Sequence, residues 1–192
     1  KRAAPRRTIF IKGNHEDFVW LAARADPEVL PGLFYLANGA RRDLADGEGR
    51  LVVGGLGGCF GPSDYHRPSG QLQSYAKRHY TRDEIDALIA GGPLDLLLVH
   101  DAPAGVRFER HRRGAGYISE AAGLDELLRA TRPRVCFFGH HHSRFDATGD
   151  GVTCVGLNKV RMPGNLVAVD MHEQGSGVSI IGEWPPRRST QV

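Results

Sequence analysis

At 192 residues and 41% hydrophobic, the chain is long enough to form one domain with a substantial core. A net charge of +3 suits a phosphorylated partner and is too small to argue for nucleic acid by itself. No apolar run is long enough to span a bilayer, no signal peptide is visible, and Cys59, Cys136 and Cys154 are too few and scattered for a disulfide framework, which fits a reduced, cytosolic protein.

Residues 1–7 are basic, contain Pro5 and read as a linker. Ile9, Phe10 and Ile11 form a short apolar strand that runs into Gly13, and Asn14 and His15 follow at once. Glu16 and Asp17 then open an amphipathic helix over Phe18, Val19, Trp20, Leu21 and Ala22. Strand, glycine turn and helix start is how an α/β sheet presents polar groups at a strand's carboxyl edge, and the helix N-terminus there favours an anion.

Pro27 and Pro31 break the chain before a strand at 33–36. Residues 41–50 read as a turn around Asp46-Gly47, and Leu51-Val52-Val53 as the next strand. Gly54, Gly55, Gly57 and Gly58 lack a Walker lysine or Rossmann spacing, so close backbone approach explains them better than phosphate cradling. Residues 59–74 read as a polar loop over the active face. Thr81-Arg82-Asp83-Glu84 has capping-box form, Ile85, Leu88 and Ile89 supply an apolar helix face, and Gly91-Gly92-Pro93 ends that helix.

A second apolar strand, Leu96 to Val99, ends on His100-Asp101-Ala102-Pro103. Residues 104–118 read as a long loop with a basic cluster at Arg107, Arg110, His111, Arg112 and Arg113, either facing a substrate or merely solvated. Ser119 is placed as the cap of a helix whose Leu124, Leu127 and Leu128 face inward. Val135 to Phe138 is a third strand, ending on Gly139-His140-His141-His142. Beyond Arg144 come short β segments, and the loose alternation at 166–169 predicts strands covered on both faces. The expected organisation is a single domain over 1–184 and a tail at 185–192, in a layered α/β fold with mixed sheets.

Three strands that each end in imidazole or amide donors suggest a metal centre, since neutral imidazole is the commonest protein metal ligand. In an extended segment His140 and His142 would face different ions, with His141 pointing the other way. His66, His79, His111 and His172 are expected at the surface.

Gly-Asn-His-Glu at 13–16, His-x-x-Pro at 100–103 and Gly-His-x-His at 139–142 resemble, in order, the last three motif blocks of the calcineurin-like metallophosphoesterases. The glycines at 54–58, Asp64-Tyr65 and Val99 to Pro103 are most similar to the RNA lariat debranching branch. The resemblance implies a two-sheet sandwich flanked by helices and two divalent ions, Mn²⁺, Fe²⁺ or Zn²⁺, in the complete protein. By motif, Asn14, His100 and His140 resemble ligands of one ion and His142 a ligand of the other. His15 resembles the residue that steadies the phosphate and protonates the leaving group, and Asp101 is placed to orient His100.

The family's first two blocks, Asp-x-His and Gly-Asp, have no room before Thr8. Asp64-Tyr65-His66 and Asp170-Met171-His172 have the first form and Gly149-Asp150 the second, but Gly149-Asp150 precedes Asp170, the reverse of a simple permutation. The plainer expectation is a chain lacking its first strands, with an exposed edge at 8–11, at most one weakly held ion, a tendency to self-associate and little hydrolysis of its own. The favoured function is metal-dependent hydrolysis of a phosphodiester, nucleic acid or nucleotide. The alternatives are a phosphomonoesterase or protein phosphatase, and a scaffold that keeps the fold without turnover.

Overall fold

The computed structural model describes residues 7–45, 50–108, 116–171 and 178–184. In chain order the elements are β1 (Thr8–Phe10), α1 (Phe18–Ala22), β2 (Glu28–Leu30), β3 (Leu33–Tyr35), β4 (Arg41–Ala45), β5 (Arg50–Leu56), α2 (Arg82–Ala90) and β6 (Leu96–Val99). There follow β7 (Arg107–Phe108), β8 (Tyr117–Ile118), α3 (Leu124–Thr131), β9 (Val135–Phe138), β10 (Phe145–Gly149), β11 (Val152–Gly156), β12 (Leu166–Met171) and β13 (Val178–Trp184).

The largest sheet has the order β10-β11-β9-β6-β5-β4. Its four inner strands are mutually parallel, and the two edge strands run antiparallel to them. Period-two alternation divides each inner strand between two faces. Leu97, Val99, Cys136 and Phe138 turn to the side where Ile85 and Leu88 of α2 and Leu124 and Leu127 of α3 are buried. Leu96, Leu98 and Phe137 turn to the opposite side and, with Ile9 of β1, line an open apolar trough of about 370 Å³.

A smaller sheet, β1-β3-β2, lies over that second side. Adjacent glycines in β5 show both layers at once. A Cβ on Gly54 would meet Leu94 at 2.6 Å on the helix side, and one on Gly55 would meet Leu36 at 2.7 Å and Ile11 at 3.2 Å on the sheet side. These glycines are therefore part of a strand and admit neighbours closely on either face. Within its sheet β1 is an edge strand, hydrogen-bonded to β3 among the described residues. The architecture is the layered α/β sandwich expected from the sequence.

Helix α2 carries the complete capping box: the Thr81 side chain takes the Glu84 backbone N–H, and Glu84 reaches back to the Thr81 N–H at 3.0 Å. Four expectations are corrected. Residues 41–45 form strand β4, because five register pairs with β5 outweigh the local turn signal. Ser119 does not cap α3: Gly123 takes that position, and the Ser119 hydroxyl donates to the Ala102 carbonyl at 2.8 Å. The 104–118 segment includes a short antiparallel ribbon, β7–β8. Leu166 is 63% exposed and burial alternates along β12, so this strand is covered on one face and not two. Residues 1–6, 109–115 and 185–192, with the expected linker, most of the basic cluster and the tail, lie outside the described residues, as does His172. No helix among the described residues is long and apolar enough to cross a membrane.

Candidate metal centre

Three strand ends meet at one place. His100 follows β6, His140 follows β9, and Asn14 follows β1 through the Lys12-Gly13 turn. The Asn14 Oδ1 lies 3.1 Å from His100 Nε2, and the His100 and His140 rings stand 5.0 Å apart between centroids. Gly13 makes the approach possible, because a Cβ there would sit 2.9 Å from His100 Cε1 and 3.0 Å from a Glu16 oxygen. Lys12 anchors the turn from below: its buried ammonium donates to the Lys77 carbonyl at 2.6 Å, and its own carbonyl accepts from Gly58 N.

The electrostatics favour neutral rings. Burial, then the neighbouring His140, pushes the His100 pKa down to about 4. Burial likewise lowers that of His140, with smaller contributions in the same direction from His141, His142 and His15. An imidazole that is neutral near pH 7 keeps a lone pair for a metal. His15 and His142, which flank the Asn14 and His140 positions in sequence, are both exposed.

Each expected site residue can now be placed. Asn14, His100 and His140, the set that the motif resemblance groups together, lie side by side. His140 and His142 do not alternate along an extended segment: both have left-handed backbone, φ 58° and 54°, in a tight turn after β9. Non-glycine residues in that region are costly and cluster at functional sites. Asp101 faces the interior, but it does not orient His100. Its carboxylate accepts from His141 Nε2 at 2.9 Å, from Phe60 N at 2.9 Å and from Ala102 N at 3.0 Å. Burial opposes that charge, yet the hydrogen bonds from His141 and Phe60 outweigh it and hold Asp101 below the usual carboxylate range.

His66 is exposed as expected, but His79 is not. It is buried, with Nδ1 2.8 Å from an Asp64 oxygen, and a Cβ on Gly61 would strike its ring at 2.4 Å. Asp64 is therefore committed to His79 and Arg67 and gives nothing to the metal centre. Asp150 sits in the β10–β11 turn with φ 51°, and Asp170 is an exposed position of β12. Sequence reasoning missed Glu16, whose charge raises the affinity of His100 for a proton, and also Tyr117 and Phe108, both in contact with His141. Glu16 was visible inside the Gly-Asn-His-Glu motif, but no local signal marked the other two.

The family model of the calcineurin-like phosphoesterases matches residues 1–144, three quarters of the chain and all three strand ends of the site. The chain belongs to the calcineurin-like phosphoesterase family. Such phosphoesterases are typically dinuclear metal enzymes. Similar curated proteins are lariat debranching enzymes: that of Schizosaccharomyces pombe is 29% identical over 171 residues, 77% of this chain and 35% of its own length. That of Drosophila melanogaster is 27% identical over 171 residues (75% and 30%), and that of Caenorhabditis elegans 25% over 178 residues (77% and 34%). The chain thus spans about a third of the length of these relatives.

One carboxamide oxygen and two neutral imidazoles make a donor set that fits one divalent ion of intermediate softness. Among the described residues, no group of three or more His, Cys, Asp or Glu side chains is placed to hold a metal ion, this centre with its two histidines and one amide included.

Proposed function

We propose that this site hydrolyses phosphodiesters, in a nucleic acid or nucleotide, with a divalent ion held by Asn14, His100 and His140. The observation that carries this reading is the convergence of those three donors from three separate strand ends, with both imidazoles held neutral by burial. A divalent ion held by these three residues would supply charge neutralisation for phosphoryl oxygens and acidification of water. Mn²⁺, Fe²⁺ and Zn²⁺ are the candidates, and the imidazole-rich set favours the latter two. His142, at the rim, is the residue we assign to a second ion.

The chain's own residues divide the remaining work. Gly13 leaves room for His100 to approach Asn14, which holds these donors in one geometry. His15 stands exposed beside Asn14, and an imidazole in that position can donate a proton to the departing oxygen. Glu16 Oε2 accepts from the His15 backbone N–H at 3.1 Å and so fixes the turn that presents His15. The diester preference is supported by the debranching enzymes among the similar proteins.

The test assays the protein on bis-p-nitrophenyl phosphate and p-nitrophenyl phosphate with Mn²⁺ or Zn²⁺. His15→Ala should lower diester turnover about 10²–10⁴-fold, the usual worth of a general acid, with metal content nearly unchanged. Faster turnover of the monoester would contradict the diester assignment. An unaltered rate in the variant would remove His15 from the chemistry.

A further inference from the structure

His141 lies between two assigned ligand positions and yet turns away from them into the protein, where its side chain is 7% exposed. Three groups from distant parts of the chain meet it there. Asp101, directly after His100, accepts from Nε2 at 2.9 Å. The Tyr117 hydroxyl of β8 lies 2.5 Å from Nδ1. Phe108 of β7 stacks on the ring, with centroids 4.1 Å apart and planes 10° from parallel.

The proton assignments follow from the donors available. The Asp101 carboxylate can only accept, so Nε2 carries the hydrogen. Nδ1 is then left with its lone pair and accepts from the Tyr117 O–H. Every polar atom of the ring is used, and the stack on Phe108 fixes its plane.

We propose that His141, clamped between Asp101 and Tyr117, is the positioning residue that holds His100 and His140 in register for a metal. This rests on the reading that those two histidines are ligands. Hydrogen bonds join the ends of β6 and β9 just below the His100–His140 pair: Gly139 N donates to the His100 carbonyl at 3.1 Å, and His141 Nε2 donates to Asp101 while also lying 3.3 Å from Ala102 N. The first is a single backbone bond across a short parallel pair. The second adds a charge-assisted bond in a buried setting, where such bonds are strongest. His141 also explains how left-handed backbone persists on both sides of it. His140 and His142 hold that conformation because the residue between them is anchored from three directions. Tyr117 and Phe108 extend the anchor to the β7–β8 ribbon.

The test pairs a metal-free readout with a metal-loaded one, so that failure of the clamp and failure of the metal reading separate. The variants are His141→Leu, which deletes both hydrogen bonds, His141→Gln, which can restore a donor to Asp101, and Tyr117→Phe, which removes only the hydroxyl. Without metal, the imidazole ¹H–¹⁵N resonances of His100 and His140 should shift and broaden in His141→Leu, recover toward the unsubstituted spectrum in His141→Gln, and shift less in Tyr117→Phe. With Co²⁺ as probe, His141→Leu should bind about 10–100-fold more weakly and with an altered visible spectrum, the scale set by groups that orient metal ligands. His141→Gln should regain part of that affinity. Unmoved His100 and His140 resonances in His141→Leu overturn the clamp, whether or not Co²⁺ binds. Moved resonances in a chain that takes no Co²⁺ support the clamp and refute the metal centre instead. A Gln variant as defective as the Leu variant in both readouts reduces His141 to packing and also overturns it.

Discussion

Gly13 and His100 occupy each other's space: the one hydrogen that glycine carries in place of a side chain is what lets His100 Cε1 come within 2.9 Å of where a Cβ would be. Gly13→Ala therefore forces the His100 ring off Asn14, or opens the turn that carries Asn14 and His15. We expect metal affinity to fall about tenfold or more, the scale at which disturbed ligand orientation is felt. A metal titration of the variant checks this; affinity equal to that of the unsubstituted chain would show that the turn yields freely.

A second relationship keeps the neighbouring glycine loop in place. Asn38 grips Gly57 from both sides, accepting from its N–H at 2.7 Å and donating to its carbonyl at 3.0 Å, and it also donates to Glu84 of the capping box at 2.9 Å. The loop has little room to shift, since a Cβ on Gly57 would lie 2.3 Å from the Lys12 carbonyl. Asn38→Ala leaves part-buried donors and acceptors unpaired and should cost about 1–3 kcal/mol in urea unfolding. A loss below about 0.5 kcal/mol would mean that water replaces the amide without penalty.

The buried pair of Asp64 and His79 makes a prediction about acid. The hydrogen bond from His79, followed by that from Arg67, holds Asp64 below its ordinary value of 3.8. A carboxyl lowered on folding stabilises the native state fully above its unfolded pKa, and that contribution is lost as pH falls through the folded one. The thermal midpoint should therefore drop steadily below about pH 4, and Asp64→Asn should flatten that part of the profile while lowering the plateau near pH 7. Profiles that run parallel from pH 5 to pH 2 would contradict the assignment.

The strand ends were legible because they are local. An apolar run followed by Gly-Asn-His, His-Asp or Gly-His can be read within ten residues, and the structure places Asn14, His100 and His140 at neighbouring strand ends. The capping box of α2 was legible for the same reason. What escaped depends on partners far along the chain. Asp64 meets His79 fifteen positions later, and Asp101 meets His141 forty positions later, so neither pairing leaves a periodic trace. The turn at 140–142 was misjudged as extended because left-handed φ at histidine is imposed by its surroundings and not by residue type. Strand β4 was hidden by Arg41, Arg42 and Asp43, polar residues that cross-strand pairing with β5 carries into the sheet.

The central claim is that Asn14, His100 and His140 hold a divalent ion, and equilibrium titration of the 192-residue chain with Zn²⁺ or Mn²⁺ tests it most directly. We predict a divalent ion bound through these residues, with binding abolished in the His100→Ala/His140→Ala double variant and retained in His66→Ala. Undiminished binding in the double variant would contradict the assignment.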